Sequence, residues 1–120
     1  MKKIITLIFT CFISVTAFCQ RAISVDSARA HVGDSVMVCS KVFGVKSLQK
    51  ITFINLGAAY PNSPLTIVVR AEDRGNFPKK AEAMYADKNV CVTGVIKEYK
   101  GRYEIDVTQP AEIAIEPSKQ

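Results

Sequence analysis

Two long runs of alternating side chains, each broken by one glycine, constrain this chain more than any other feature. Val36 to Val45 contains Gly44, and Asn89 to Tyr99 contains Gly94. Successive side chains of a strand point to opposite faces. Val36, Val38, Ser40 and Val42 therefore share one face, and Met37, Cys39, Lys41 and Phe43 the other. A glycine inside such a run marks a bulge or a sharp bend, because a strongly coiled strand needs a residue without Cβ where it turns.

Three shorter runs join them. Ile51 to Leu56 follows a basic turn, Leu65 to Ala71 follows the turn-rich loop Tyr60-Pro61-Asn62-Ser63-Pro64, and Tyr103 to Thr108 follows the hairpin turn Tyr99-Lys100-Gly101-Arg102. The last run alternates strictly, which predicts Tyr103, Ile105 and Val107 inward and Glu104, Asp106 and Thr108 on a solvated outer face. Helical spacing occurs twice. Ser24 to Gly33 places Val25, Ala28 and Val32 on one face, with Ser24 as cap and Gly33 as terminator. Pro78 opens a helix through about Asp87, with Ala81, Met84 and Tyr85 as its apolar stripe. Ala111 to Glu116 adds a short extended piece. The expected fold is all-β with short helices: a five-stranded barrel with a helix between the third and fourth strands. An open α+β sheet is the alternative.

The chain has 120 residues, 48% of them apolar, with 16 Lys+Arg against 11 Asp+Glu. That suits one packed domain and excludes a disordered or collagen-like chain. Residues 1–19 read as a secretory signal peptide: Met1-Lys2-Lys3 is basic, Ile4 to Val15 is nearly all apolar, and Ala17-Phe18-Cys19 suits a cleavage site. An N-terminal anchor helix and a lipoprotein signal using Cys19 are the alternatives. Phe18 is bulky for the second of these. Processing would leave residues 20–120 as a single exported domain, periplasmic or secreted, mildly basic and without a membrane span.

Three phrases carry a resemblance. His31-Val32-Gly33-Asp34-Ser35-Val36-Met37-Val38-Cys39 resembles the approach to the first strand in the oligonucleotide/oligosaccharide-binding (OB) fold family of small exported bacterial proteins. Thr52 to Gly57, with Tyr60-Pro61-Asn62 and Pro64 to Val69, is similar to that family's second hairpin. Val90 to Gly101 resembles its fourth strand and hairpin. Ser40 stands where a small Gly is often found. The resemblance spans roughly residues 28 to 113, and it implies an OB barrel and nucleic-acid binding.

The sequence carries none of the common catalytic signatures. There is no Gly-x-Ser-x-Gly, no P-loop or dinucleotide fingerprint, and no Cys-x-x-Cys. His31 is the single histidine and reads as a residue of a helix's last turn, not a metal ligand. Glu104 and Asp106 on a regular strand are a solvated face before they are an acid–base pair. The expectation is a non-enzyme without cofactor or metal.

An OB barrel binds across its second and third strands and between the first and fourth inter-strand loops. Lys46 and Lys50 sit in the first of those loops. Tyr99, Lys100 and Arg102 form the fourth, and Arg70 ends the third strand. Phe53 and Tyr60 are candidate stacking surfaces. Phe53 is core if Ile51, Phe53 and Asn55 point inward, and a platform if Thr52, Ile54 and Leu56 do. Single-stranded nucleic acid needs such cations and flat rings, so it, or another polyanion, is the expected partner. An envelope protein, glycan or small ligand is the alternative. Lys79 and Lys80 open a helix where the dipole disfavours them, which suggests a second anion contact.

Cys39 and Cys91 remain after processing, and export favours a disulfide between them. Each follows a Val, which suggests a deep setting. Against a bond, the first and fourth strands run antiparallel, and two residues near the strand starts are not naturally opposite. Two buried free thiols are the alternative.

Overall fold

The computed structural model describes residues 21–117; the expected signal peptide lies outside them. The two glycine-broken runs are the longest strands, β2 (Ser35–Ser47) and β5 (Asn89–Tyr99). Each is shared between two of the other long strands. The first half of β2 runs antiparallel to the first half of β5, from Ser35 opposite Val95 to Lys41 opposite Asn89. The second half of β2 pairs with β3 (Ile51–Leu56), and the second half of β5 with β6 (Arg102–Asp106). β4 (Leu65–Arg70) runs antiparallel to β3 and parallel to β6. The ring β2-β3-β4-β6-β5 closes on itself through the β2–β5 pairing, and its first and fourth strands in chain order are antiparallel neighbours. Two three-residue strands flank it. β1 (Arg21–Ile23) lies parallel to β2, and β7 (Ile113–Ile115), within the expected extended piece, lies beside β5.

Gly44 marks the expected bulge, whereas Gly94 leaves room for a neighbouring side chain in a strand of unbroken register. The β2–β3 register jumps from Val42–Leu56 to Gly44–Asn55, so Phe43 is the extra residue of a bulge. Gly94 lies opposite Val36, and a Cβ there would stand 2.6 Å from Cγ2 of Ile105. Inside the ring, Val38, Val42, Ile54, Leu56, Leu65, Ile67, Val90, Val92 and Ile105 are fully buried. The Ser40 hydroxyl accepts from the Gly57 N–H at 2.9 Å and ties β2 to the end of β3.

The helices are shorter and tighter than the periodicity predicts. The first is a 3₁₀ helix, Val25–His31, with the Ser24 hydroxyl accepting from the Asp26 N–H at 3.3 Å. Its three-residue turn buries Ala28 but leaves Val32 45% exposed. The second, α1 (Ala81–Tyr85), follows a 3₁₀ turn over Ala71–Asn76. Lys80 at its N-cap supplies no side-chain acceptor, and Asp87 with φ at 61° bars continuation. α1 packs against β2 and β3, where Tyr85 joins the core.

Cys39 and Cys91 form a disulfide, with Cα atoms 4.0 Å apart. They are direct register partners. The antiparallel objection fails because only the first halves of β2 and β5 pair with each other; the second halves diverge to β3 and β6. The expected depth is corrected. Val38, Val90 and Val92 take the inner face, so the bridge lies on the outer one, where Cys39 is exposed and Cys91 half-buried.

Candidate functional site

Which face of β3 looks inward decides the site. Thr52, Ile54 and Leu56 are at most 2% exposed, so Phe53 stands on the outside, half-buried. Its register partner on β2 is Lys46, and on β4 it is Val68. The Arg102 guanidinium lies over the Phe53 ring, 5.2 Å from its centroid. Asn55 also points outward yet is only 7% exposed. Its Oδ1 accepts from the Thr66 hydroxyl at 3.1 Å and the Ser63 hydroxyl at 3.3 Å, which pins the β3–β4 loop to the sheet.

These residues line an outer cleft of about 510 Å³. Lys46, Phe53, Tyr60 and Arg102 meet there, with Phe43, Leu48 and Asn55. Tyr60 is 67% exposed at the rim. Lys50, Arg70, Tyr99 and Lys100 are not in the lining. Lys50 lies by the start of β3, where its carbonyl accepts from the Ala71 N–H. Arg70 stands 4.0 Å from Asp106. Tyr99 and Lys100 sit on the hairpin above Arg102, the Lys100 ammonium 5.3 Å from the Tyr99 ring centroid. Lys100 (φ 49°) and Gly101 (φ 78°) are both left-handed, as a two-residue type I′ turn requires.

The expected solvated face at Glu104 and Asp106 is half right. Asp106 is exposed and accepts from the Lys97 ammonium at 2.6 Å. Glu104 is only 3% exposed. It lies between Thr66 on β4 and Lys97 on β5, with Arg102 at 4.0 Å. An outward side chain in the middle of a curved sheet is covered by its neighbours, which alternation alone does not reveal. Burial pushes the Glu104 carboxyl above its ordinary range. The Asp106 charge adds to that push, and Arg102, Lys97 and Arg70 oppose it.

Sequence reasoning missed Phe43, Leu48 and Asn55 as parts of the cleft lining, and it missed the burial of Glu104. Gly44 was the available signal for Phe43, since a bulge re-aims the neighbouring side chain. Among the described residues, the metal-ligating types that come together are Cys39, Cys91 and Glu116, and the disulfide engages both sulfurs. No helix among the described residues is long and apolar enough to cross a membrane.

The fold has counterparts among solved structures. An OBody bound to hen egg-white lysozyme is similar over 83% of this chain and 97% of its own, with a TM-score of 0.57 and 15% identity. The fold is the OB fold. The S. pombe Stn1-Ten1 complex matches over 70% of this chain and 59% of its own at a TM-score of 0.54 and 14% identity. An aspartyl-tRNA synthetase from Entamoeba histolytica matches over 82% of this chain at 0.53 and 16% identity, and the match spans 22% of the synthetase. No protein-family model matches the chain, and no curated protein is similar to it. Within the OB fold, the cleft occupies the outer face of the second strand of the ring and is bordered by the first and fourth loops, the region through which such barrels bind ligands.

Proposed function

We propose that this chain is an exported, non-enzymatic OB module whose outer cleft binds single-stranded nucleic acid or another polyanion. The observation that carries the reading is Phe53 on the outside of the ring beneath the Arg102 guanidinium. A base can stack on that ring or on the guanidinium plane. Lys46 in the lining can meet a phosphate, and Lys100, on the hairpin outside the lining, adds positive charge beside it. The synthetase and Stn1-Ten1 neighbours support the analogy at the level of the fold.

A protein partner on the same cleft is the second reading, ahead of a glycan or small ligand. Phe43 and Leu48, each 44% exposed, form an apolar rim with Tyr60, and the OBody neighbour is bound to a protein. Fluorescence anisotropy with a labelled single-stranded oligonucleotide separates the two. Binding should weaken steeply between about 50 and 200 mM salt. Absence of binding at about 50 mM salt, where phosphate contacts are strongest, leaves the protein-binding reading.

A further inference from the structure

Asn55 does more in the outer cleft than pin a loop. It lines the cleft, yet only 7% of it is exposed. Its Oδ1 is taken up by the Thr66 and Ser63 hydroxyls. The other end of the amide has no such partner among the described residues. The side-chain atoms there that are both covered and unpartnered are Arg74 Nε and Tyr85 Oη, and Asn55 Nδ2 is not one of them. Nδ2 therefore keeps an opening, on the side of the cleft.

Gly44 makes that opening. It is the register partner of Asn55 on β2, and it also lines the cleft. Residues directly opposite on paired strands carry their side chains on the same face. Beyond its chain neighbours, a Cβ at Gly44 would meet Asn55 Nδ2 at 3.9 Å and nothing else within 4 Å. The φ of Gly44 lies outside the left-handed region. Neither backbone nor packing demands a glycine here, but a longer side chain would cover the amide.

We infer that Asn55 reads the base that stacks at Phe53, and that guanine is the base it prefers. This preference rests on the nucleic-acid reading of the same cleft. Phe53 and Asn55 are two apart on one face of β3, about 7 Å along the strand, so a base on the Phe53 ring can turn an edge to Nδ2. That nitrogen only donates, as do the Lys46 and Arg102 side chains of the same lining. The edge that fits has acceptors and no amino group. Guanine presents O6 and N7 side by side, whereas adenine sets its N6 amino group beside N7 and cytosine presents its N4 amino group. Thymine offers O4 alone and ranks second. An amino group against Nδ2 would leave two donors facing each other without acceptors.

Short strands with one central base among abasic sugars are the probe, titrated into the isotope-labelled chain. The guanine strand should bind roughly tenfold more tightly than the adenine strand and shift the side-chain amide signals of Asn55. Asn55→Asp turns the donor into an acceptor. It should weaken both strands through its charge and abolish or invert the preference. Gly44→Val leaves the hydrogen bonds of Asn55 in place, covers Nδ2, and should erase the preference while binding persists. A preference for adenine would mean that the amide offers Oδ1 to the cleft, and would overturn the inference. So would equal binding of the two strands, or a guanine preference that survives in either variant. Binding without discrimination leaves the nucleic-acid reading standing, whereas failure of every strand, an oligothymidylate included, at about 50 mM salt ends both.

Discussion

The Arg102 guanidinium stands 5.2 Å from the centre of the Phe53 ring, joining the hairpin that follows β5 to the outer face of β3. The ring is therefore a flat surface of the cleft that the chain's own cation already covers. Phe53→Ala should weaken oligonucleotide binding by about 1–3 kcal/mol, the usual worth of one base–aromatic stack, with little change in its salt dependence. Replacing Lys100 and Arg102 by Ala should weaken it and flatten the salt slope by about two, one for each lost phosphate contact. Anisotropy titrations at several salt concentrations read both quantities. A Phe53→Ala chain that binds as the parent does would remove Phe53 from the site.

Glu104 predicts a pH dependence of stability. Its carboxyl is raised by burial, so the folded chain holds the proton at a pH where the unfolded chain has released it. The unfolded state then binds fewer protons, and stability falls as pH rises through the range from about 4.3, the ordinary carboxylate value, to the raised one. Glu104→Gln removes this loss. Its Tm should exceed the parent's at about pH 7, and the difference should shrink toward about pH 4. Thermal unfolding across that range checks the sign. A variant less stable than the parent at neutral pH would mean that the Arg102 contact outweighs burial.

The Cys39–Cys91 bridge closes a loop with a sequence separation of 52. The chain-entropy model gives about 4 kcal/mol for a loop of that length. The double variant Cys39→Ser/Cys91→Ser should lose stability of that order in urea unfolding. Thiol titration of the unfolded, unreduced chain should find no free sulfhydryl at either position.

At Gly94 a Cβ would stand 2.6 Å from Cγ2 of Ile105. Gly94→Ala should cost about 1–3 kcal/mol, the usual penalty for overpacking a core. Ile105→Leu removes the offending methyl from Cβ. The double variant should therefore recover part of the loss, and a strictly additive pair would refute the proposed clash.

Strands with one buried face were legible in the sequence. The expected bounds of β3 and β5 are the observed ones, because Ile54 and Leu56, or Val90, Val92 and Ile96, repeat at every second position under a single core. β1 was not legible, since three residues are too few for alternation to register. The orientation of Phe53 stayed open because either face of β3 offers apolar side chains. What settles it is Asn55, buried on the outside by Ser63 and Thr66, partners in a loop and a neighbouring strand that no local pattern connects to it. The site was legible as composition and not as geometry. Cations and rings were visible, but only the strand register separates Lys46, Phe53, Tyr60 and Arg102, which meet, from Lys50, Arg70, Tyr99 and Lys100, which do not.

The flanking strands β1 and β7 leave from either side of the bridged pair, one beside β2 and the other beside β5. Tension applied to the two ends of the domain would first shear these short ribbons. It would then be carried across the covalent link between Cys39 and Cys91. Everything inside that loop, including β3, β4 and α1, is bypassed by the force. The β5–β6 hairpin lies outside it and stays in the line of load. If the domain is ever pulled at its ends, the Phe53 wall of the outer cleft would keep its shape while the Arg102 wall is drawn away, and the cleft would open from one side only.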